Sequence, residues 1–175
     1  MIIRSLISGV IILVAATSAA SSQGASEIGS FRAWKAYSFS NAQEKSCYIA
    51  SQPSDEKFSQ AISGRDPVFL LVTTRIMTDP SKKNIVNEVS AIIGYPFKPD
   101  SKVTIDVDGK KFTMFTREDN AWFQDRQAEA AFIDAMKAGN TMTVEGTSGR
   151  GTVSTDTYSL AGVTAGLGAV ANACP

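Results

Sequence analysis

The alternation of apolar and polar residues is most regular between residues 103 and 114. Val103, Ile105 and Val107 are separated by single polar residues, as in a strand with one buried face. The dipeptide Asp108-Gly109 follows, and it tolerates the positive φ angles of a tight hairpin turn. Apolar residues then alternate again on the second arm. The pattern therefore predicts a β-hairpin over 103–114.

Other short segments also have the composition of strands. They are rich in β-branched and aromatic residues and are bounded by Gly, Pro, Asn or Asp. These predicted strands lie around Trp34 and at 47–51, 68–74, 87–93, 121–123, 141–144 and 152–158. The polar stretches 53–66 and 145–151 are predicted to be loops, the first attached to the core by Phe58 and Ile62.

Two segments have the period of an amphipathic helix. In Asp125–Lys137, Ala128, Phe132 and Met136 are spaced by four residues, and Asp125 is a candidate N-cap. In 159–175 an apolar face is present, although three glycines weaken it as a helix. That face is formed by Leu160, Val163, Leu167 and Val170. The predicted fold is mainly β, a β-sandwich or barrel-like antiparallel sheets, with one or two short helices in a single domain over 31–175.

The N-terminus has the organisation of a secretory signal. Arg4 precedes a mostly apolar run from Leu6 to Ala16, and Ser18-Ala19-Ala20 supplies the small residues that a signal peptidase requires. The run is short for a membrane span, which needs about 20 residues. We therefore predict a signal peptide at 1–20, a flexible leader at 21–30, and a periplasmic or secreted mature chain without stable membrane insertion.

Cys47 and Cys174 are the only cysteines. Export would place them in an oxidising compartment, where disulfides persist. Cys174 also lies one turn beyond Val170, so a bond would attach the C-terminal helix to the β-domain. The sequence predicts a Cys47–Cys174 disulfide, and two separate buried thiols remain the alternative.

The amino-acid composition excludes several kinds of catalytic, metal and nucleic-acid-binding site. The chain has no histidine, which excludes Ser-His-Asp and Cys-His catalysis and histidine-based zinc sites. Lys plus Arg and Asp plus Glu both number 17, so the basic excess typical of nucleic-acid-binding proteins is missing. We expect no nucleic-acid partner, no cofactor, no metal site and no catalytic residue.

Three residues are candidates for a binding surface. Trp34 and Trp122 could contact a glycan, and Arg150 lies in a glycine-rich stretch that could bind an anion. A flexible hairpin loop explains that stretch equally well. Carboxylates such as Asp106 and Glu118 keep a cell-wall glycan hydrolase open as an alternative, beside a glycan-binding module.

Several motifs resemble those of the invasion-associated locus B (IalB) family. The stretch from Ser159 to Leu167 (SLAGVTAGL) is similar to that family's C-terminal signature, and Cys47 to Pro53 and Ile93 to Phe97 occur in the same order. Trp34, Asp108-Gly109 and Met136 to Gly139 complete the order. The chain lacks the extra cysteines of many members, and Val163 replaces a usual Phe.

The resemblance implies a small exported envelope protein, associated in some pathogens with entry into host cells, and it implies no reaction. We therefore expect a non-enzymatic protein that binds a protein or glycan component of the cell envelope or of a host surface.

Overall fold

The computed structural model describes residues 24–175, which form eleven strands and two helices. In chain order the elements are β1 (Ser26–Phe31), β2 (Trp34–Ser40), β3 (Glu44–Ser51), β4 (Asp55–Phe58), β5 (Phe69–Met77), β6 (Ile85–Ile92), β7 (Lys102–Val107), β8 (Lys110–Arg117), β9 (Asn120–Trp122), α1 (Arg126–Ala138), β10 (Thr141–Thr147), β11 (Val153–Ser159) and α2 (Val163–Ala173). The mainly β fold class with two short helices is confirmed. The predicted signal peptide lies outside the described residues.

All the strands belong to one antiparallel sheet. Its order is β1-β2-β3-β5-β6-β9-β8-β7-β10-β11-β4. The sheet curves back on itself, so that β2 and β11, which are far apart in the sheet order, come into contact. Trp34 of β2 donates a hydrogen bond from Nε1 to the carbonyl oxygen of Ser159 in β11, 2.9 Å away. Inward residues from both ends of the sheet share one apolar core. Of the two predicted architectures, the strands therefore form the continuous, barrel-like sheet and not the two-layered sandwich.

The predicted hairpin is β7 and β8. Val103, Ile105 and Val107 are buried on its inner face, and β7 pairs with β8 from Lys102 to Val107. Asp108 and Gly109 connect the strands with φ angles of 46° and 93°. Both angles are positive, as a tight turn that matches the twist of the strands requires.

The predicted disulfide is present and joins Cys47 of β3 to Cys174 at the end of α2, with their Cα atoms 6.0 Å apart. The predicted apolar face of the helix is buried at Val163, Leu167 and Val170. This face packs against β1, β2 and β3. The crosslink therefore attaches α2 to the inner side of the sheet.

Parts of three segments predicted to be irregular form strands. The loop predicted at 145–151 begins later than expected, because β10 continues to Thr147. The leader predicted at 21–30 was wrong over its second half, because β1 pairs with β2 from Ser26 to Phe31. The loop predicted at 53–66 contains β4, which pairs with β11. Strands β1 and β4 lie at the ends of the sheet order and are mostly exposed. Backbone pairing, rather than an apolar pattern, makes them strands, so their polar sequences carry no strand signal.

Candidate functional site

Trp34 is part of the core. Its side chain is 0% exposed, and its only polar atom is hydrogen-bonded to Ser159. The prediction that Trp34 contributes to a binding surface was therefore wrong. The reason is the pleat of β2, where Trp34 and Ala36 point inward and Lys35 and Tyr37 point outward.

Trp122 lies on the outer face of the sheet. It is half-buried and packs against Phe115 with ring centroids 5.8 Å apart. Phe115 is 42% exposed, although large apolar side chains are usually covered in a small domain. The two rings form an apolar surface that the core does not require. Trp122 therefore remains a candidate contact residue, and Phe115 joins it.

The strand register places Trp122 within a row of outward residues that crosses seven strands. Each member is directly opposite the next one across a pair of neighbouring strands. We call this the outer row, and in sheet order it consists of Lys35, Ala50, Leu71, Ser90, Trp122, Phe115 and Lys102. Lysines stand at both ends, and its middle is apolar apart from one serine. Neighbouring strands are about 4.8 Å apart, so the row is about 29 Å long.

One end of the outer row opens into a groove. Ala50 is part of its lining, and the small side chain of Ala50 leaves a depression between the cross-strand neighbours Lys35 and Leu71. Tyr48 and Phe69 also line the groove. Tyr37 and Tyr48 are cross-strand partners, and their rings stack with centroids 5.3 Å apart. Burial, and then the neighbouring Tyr37, raise the pKa of Tyr48, so its hydroxyl keeps its proton at neutral pH. We call this space of about 560 Å³ the tyrosine groove.

Arg150 lies elsewhere, in the turn between β10 and β11. It is exposed and lines a cleft of about 820 Å³ between residues 58–66 and 148–152. Ile62 lines the same cleft and is 40% exposed. It therefore does not attach residues 53–66 to the core as predicted. The structure therefore places the three predicted surface residues in three different environments.

The segment 59–68 is held by a buried ion pair that the sequence analysis missed. Both Nη atoms of Arg65 donate to the carboxylate of Asp156 at 2.6 Å, and its Nε donates to the carbonyl oxygen of Ile93 at 2.7 Å. Glu56 accepts a further bond from the same guanidinium at 3.0 Å. The side chains of Arg65 and Asp156 are 5% and 0% exposed.

A fifth hydrogen bond, from Nη2 of Arg65 to Oγ of Ser154 at 3.4 Å, completes the five donors of the guanidinium. Burial by itself would lower the pKa of Arg65, but the hydrogen bond and the charge of Asp156 raise it. The bidentate geometry is typical of a strong arginine–carboxylate pair. Because its partners all belong to the protein, we assign Arg65 to holding its segment on the sheet. The pairing of β4 with β11 places Glu56 opposite Asp156, and Arg65 reaches both carboxylates from the loop that follows β4. Residue spacing in the sequence therefore gave no signal for this cluster.

The carboxylates considered for catalysis have other roles or lie far apart. Asp106 is opposite Lys111 at one end of β8, whereas Glu118 follows the other end of that strand. Seven residues of extended chain separate the two positions by about 20 Å, and glycosidase carboxylates lie about 5–10 Å apart. The Asp106–Glu118 pair was therefore a wrong candidate for glycan hydrolysis.

The neighbouring carboxylates bind backbone amides. Asp108 accepts hydrogen bonds from the amides of Asn140 and Thr141, and Asp125 caps α1 by accepting from Ala128. Among residues 24–175 there is no group of three His, Cys, Asp or Glu side chains that could hold a metal ion. Within the same residues, neither helix is long and apolar enough to cross a membrane.

The chain is similar in fold to a solved structure and in sequence to a known protein family. A crystal structure of invasion associated protein B from Bartonella henselae has a similar fold, with a TM-score of 0.54 and 13% sequence identity, over 83% of this chain and 96% of that chain. No curated protein matches the chain. The model of the family described as "Invasion associated locus B (IalB) protein" matches residues 34–171, which is more than half of the chain. The chain therefore belongs to the IalB family.

Proposed function

We propose that this protein is an exported, non-enzymatic envelope protein that binds a protein or glycan component of the cell envelope or of a host surface. The observation that carries the proposal is the outer row, where Trp122 and the exposed Phe115 form an apolar surface on the outside of the sheet. Contiguous exposed aromatic residues of this kind are enriched in binding sites. By this reading, the fold supplies a rigid surface rather than a reacting group.

Export is supported by two independent features. Residues 1–20 have the sequence organisation of a secretory signal, and the Cys47–Cys174 bond is of a kind that persists in oxidising compartments. Fractionation of cells that produce the full chain should place the protein in the periplasmic or secreted fraction, with a mature N-terminus near residue 21. Recovery from the cytosol with residues 1–20 intact would contradict this part of the proposal.

The family description links such proteins to invasion, and we extend the proposal to a contribution to host-cell entry by binding. A strain that produces only the Trp122→Ala, Phe115→Ala double variant should then enter host cells less often than the parent, at equal protein levels. Equal entry by the two strains would remove this extension and leave the binding function to be tested separately.

The binding surface can be tested by site-specific photo-crosslinking in intact cells. A benzoylphenylalanine at position 115 should give a defined adduct with an envelope or host component. The control position is Lys82, which is exposed between β5 and β6, away from the outer row. Adducts that are absent at position 115, or are the same at both positions, would contradict the outer row as the binding surface.

A further inference from the structure

The tyrosine groove has a chemical character that the rest of the outer row lacks. We call the apolar lining residues, which include Ala50, Leu71 and Phe69, the floor, and the polar lining residues, which include Arg32 and Lys35, the rim. The inference drawn below rests on the proposed function, since it assigns a ligand class to one end of the same outer row.

The apolar floor is built by the sheet register. Ala50 lies between Lys35 and Leu71 across the strands, and along the chain it lies between Tyr48 of β3 and Gln52, which follows that strand. The side chain of Ala50 is a methyl group with longer side chains around it. A ring-sized group of a ligand can therefore rest on Ala50 and contact the apolar atoms of those neighbouring side chains. A site of this kind, apolar with a few polar groups at its edge, is typical of small-ligand sites.

The polar lining consists mainly of hydrogen-bond donors. The side chains of Arg32, Lys35, Tyr37 and Tyr48 all carry N–H or O–H groups, and Gln52 adds an amide. No carboxylate is among the described residues that line the groove. A ligand rich in acceptor oxygens would satisfy these donors, whereas a cationic ligand would meet like charge.

The two cations are available to an anion to different degrees. Among residues 24–175, Arg32 forms no ion pair. Lys35 faces the Glu27 carboxylate at 3.6 Å, and both side chains are about half exposed, at 55% and 44%. Exposed pairs of this kind are weak, so a carboxylate on a ligand can compete with Glu27 for Lys35.

We infer that the tyrosine groove binds an acidic glycan. The apolar face of one sugar ring would rest on Ala50 beside the tyrosine pair, and its carboxylate would contact Arg32 and Lys35. The acceptor oxygens of the sugar match the donors of the rim, and the negative charge matches the cations. A neutral glycan would leave Arg32 without an anionic partner, and an aliphatic ligand would leave the hydrogen-bond donors without acceptors.

The inference can be tested by calorimetry on the mature, disulfide-bonded protein with tetragalacturonate as the probe. The tetramethyl ester of the same oligosaccharide is the matched ligand control, because it keeps the rings and removes the charge. We expect the ester to bind at least about tenfold more weakly. Equal binding of acid and ester, or binding of neither, would overturn the inference.

Two substitutions of the same kind locate the site. Ala50→Leu fills the depression and should weaken tetragalacturonate binding by at least about tenfold, because the added side chain takes the space of the sugar ring. Thr113→Leu adds the same side chain at an exposed position of β8 that lies outside the outer row and does not line the groove, and it should leave the affinity unchanged. Circular dichroism and melting curves establish that both variants fold. Equal effects of the two substitutions would show that the groove is not the site.

Removing the positive charge of Lys35 and removing the negative charge of Glu27 should change the affinity for tetragalacturonate in opposite directions. Lys35→Gln should weaken binding by about threefold, and Glu27→Gln should strengthen it by about two- to threefold because the competing carboxylate is removed. Both effects should shrink in high salt. A Glu27→Gln variant that binds no better, together with unaltered binding by Lys35→Gln, would contradict the role of the cations.

The outcomes separate this inference from the proposed function. A position-115 adduct without tetragalacturonate binding would overturn the acidic-glycan inference and leave the proposed function in place. Tetragalacturonate binding that is sensitive to Ala50→Leu, without any position-115 adduct, would support the groove and contradict the Trp122–Phe115 surface as the contact with envelope or host.

Discussion

The two helices of this protein are held in opposite ways. Helix α1 has a capping aspartate, Asp125, whose side chain accepts from the amide of Ala128 at 2.8 Å, and its end is marked by Gly139. Helix α2 begins after Gly162, has no side-chain cap, and contains two more glycines. Its last residue, Ala173, is followed by the disulfide. The residues of α1 themselves favour a helix, whereas α2 depends on contacts with the rest of the fold.

This difference shows where the stability of each helix comes from. Capping and an amphipathic stripe favour α1 before any tertiary contact forms. Glycine lowers the helix propensity of α2 by about 1 kcal/mol per residue relative to alanine, so its helical state relies on burial of Val163, Leu167 and Val170 and on the crosslink. Perturbing one support at a time should therefore affect the two helices differently.

Removal of the disulfide should have the largest effect. The Cys47→Ser, Cys174→Ser double variant loses a crosslink between residues separated by 127 positions. For a loop of this size the chain-entropy model gives about 4–5 kcal/mol. We expect a lower melting temperature and protease cleavage that begins within α2, while α1 stays protected. Unchanged melting with equal protection of both helices would show that packing alone holds α2.

The entry to α2 should be the next most sensitive position. Gly162 has a φ of +104°, and a Cβ there would lie 1.8 Å from the carbonyl oxygen of Phe31. Gly162→Ala should therefore lower the free energy of unfolding by about 3 kcal/mol, from left-handed strain and displacement of β1.

Gly168→Ala is the matched control, because, apart from the adjacent residues and the backbone of α2 itself, no atom lies within 4 Å of the added Cβ. It should raise the free energy of unfolding by about 0.5–1 kcal/mol through helix propensity. Urea unfolding of both variants measures the contrast. Two effects of the same sign would contradict the packing of Gly162 against Phe31.

Loss of the α1 cap should have a smaller effect. Asp125→Ala removes the hydrogen bond to the Ala128 amide and should lower the free energy of unfolding by about 1 kcal/mol. Asp125→Asn keeps an acceptor and should stay close to the parent. Hydrogen exchange should show the loss of protection in the first turn of α1 and none in α2. An Asn variant as unstable as the Ala variant would argue against capping as the cause.

The smallest effect concerns the pH dependence of α1 packing. Glu129 accepts hydrogen bonds from the amide of Val89 and from Arg126, yet burial outweighs these contacts and raises its pKa above 4.5. A carboxyl with a raised pKa in the folded state stabilises the fold most below pH 4.5. This contribution is lost as the pH rises through the pKa of the folded state.

Glu129→Gln should remove this dependence, so the variant should gain stability relative to the parent as the pH rises from 4.5 towards 7. Urea unfolding of both proteins at several pH values in this range gives the comparison. Parallel stability curves would show that Glu129 has the same proton affinity in both states.

The candidate site was less predictable than the fold. Alternation within 34–40 and 47–51 indicates which residues share a face, but it does not state which strand lies beside which. Trp122 was identified as an aromatic residue available for contact, whereas Tyr37 and Ala50 became relevant only through their register across β2, β3 and β5. The same composition argument selected Trp34, which the pleat of β2 places in the core.

The sequence by itself determined the features that depend on neighbouring residues: the 103–114 hairpin with its Asp108-Gly109 turn, the capped helix α1, and membership of the IalB family. The cysteine pair was also correct, because only two cysteines were available to form it. Tertiary structure alone decided the edge strands β1 and β4, the buried Arg65–Asp156 pair and the outer row. Each of these depends on pairing between distant segments, which local periodicity cannot encode.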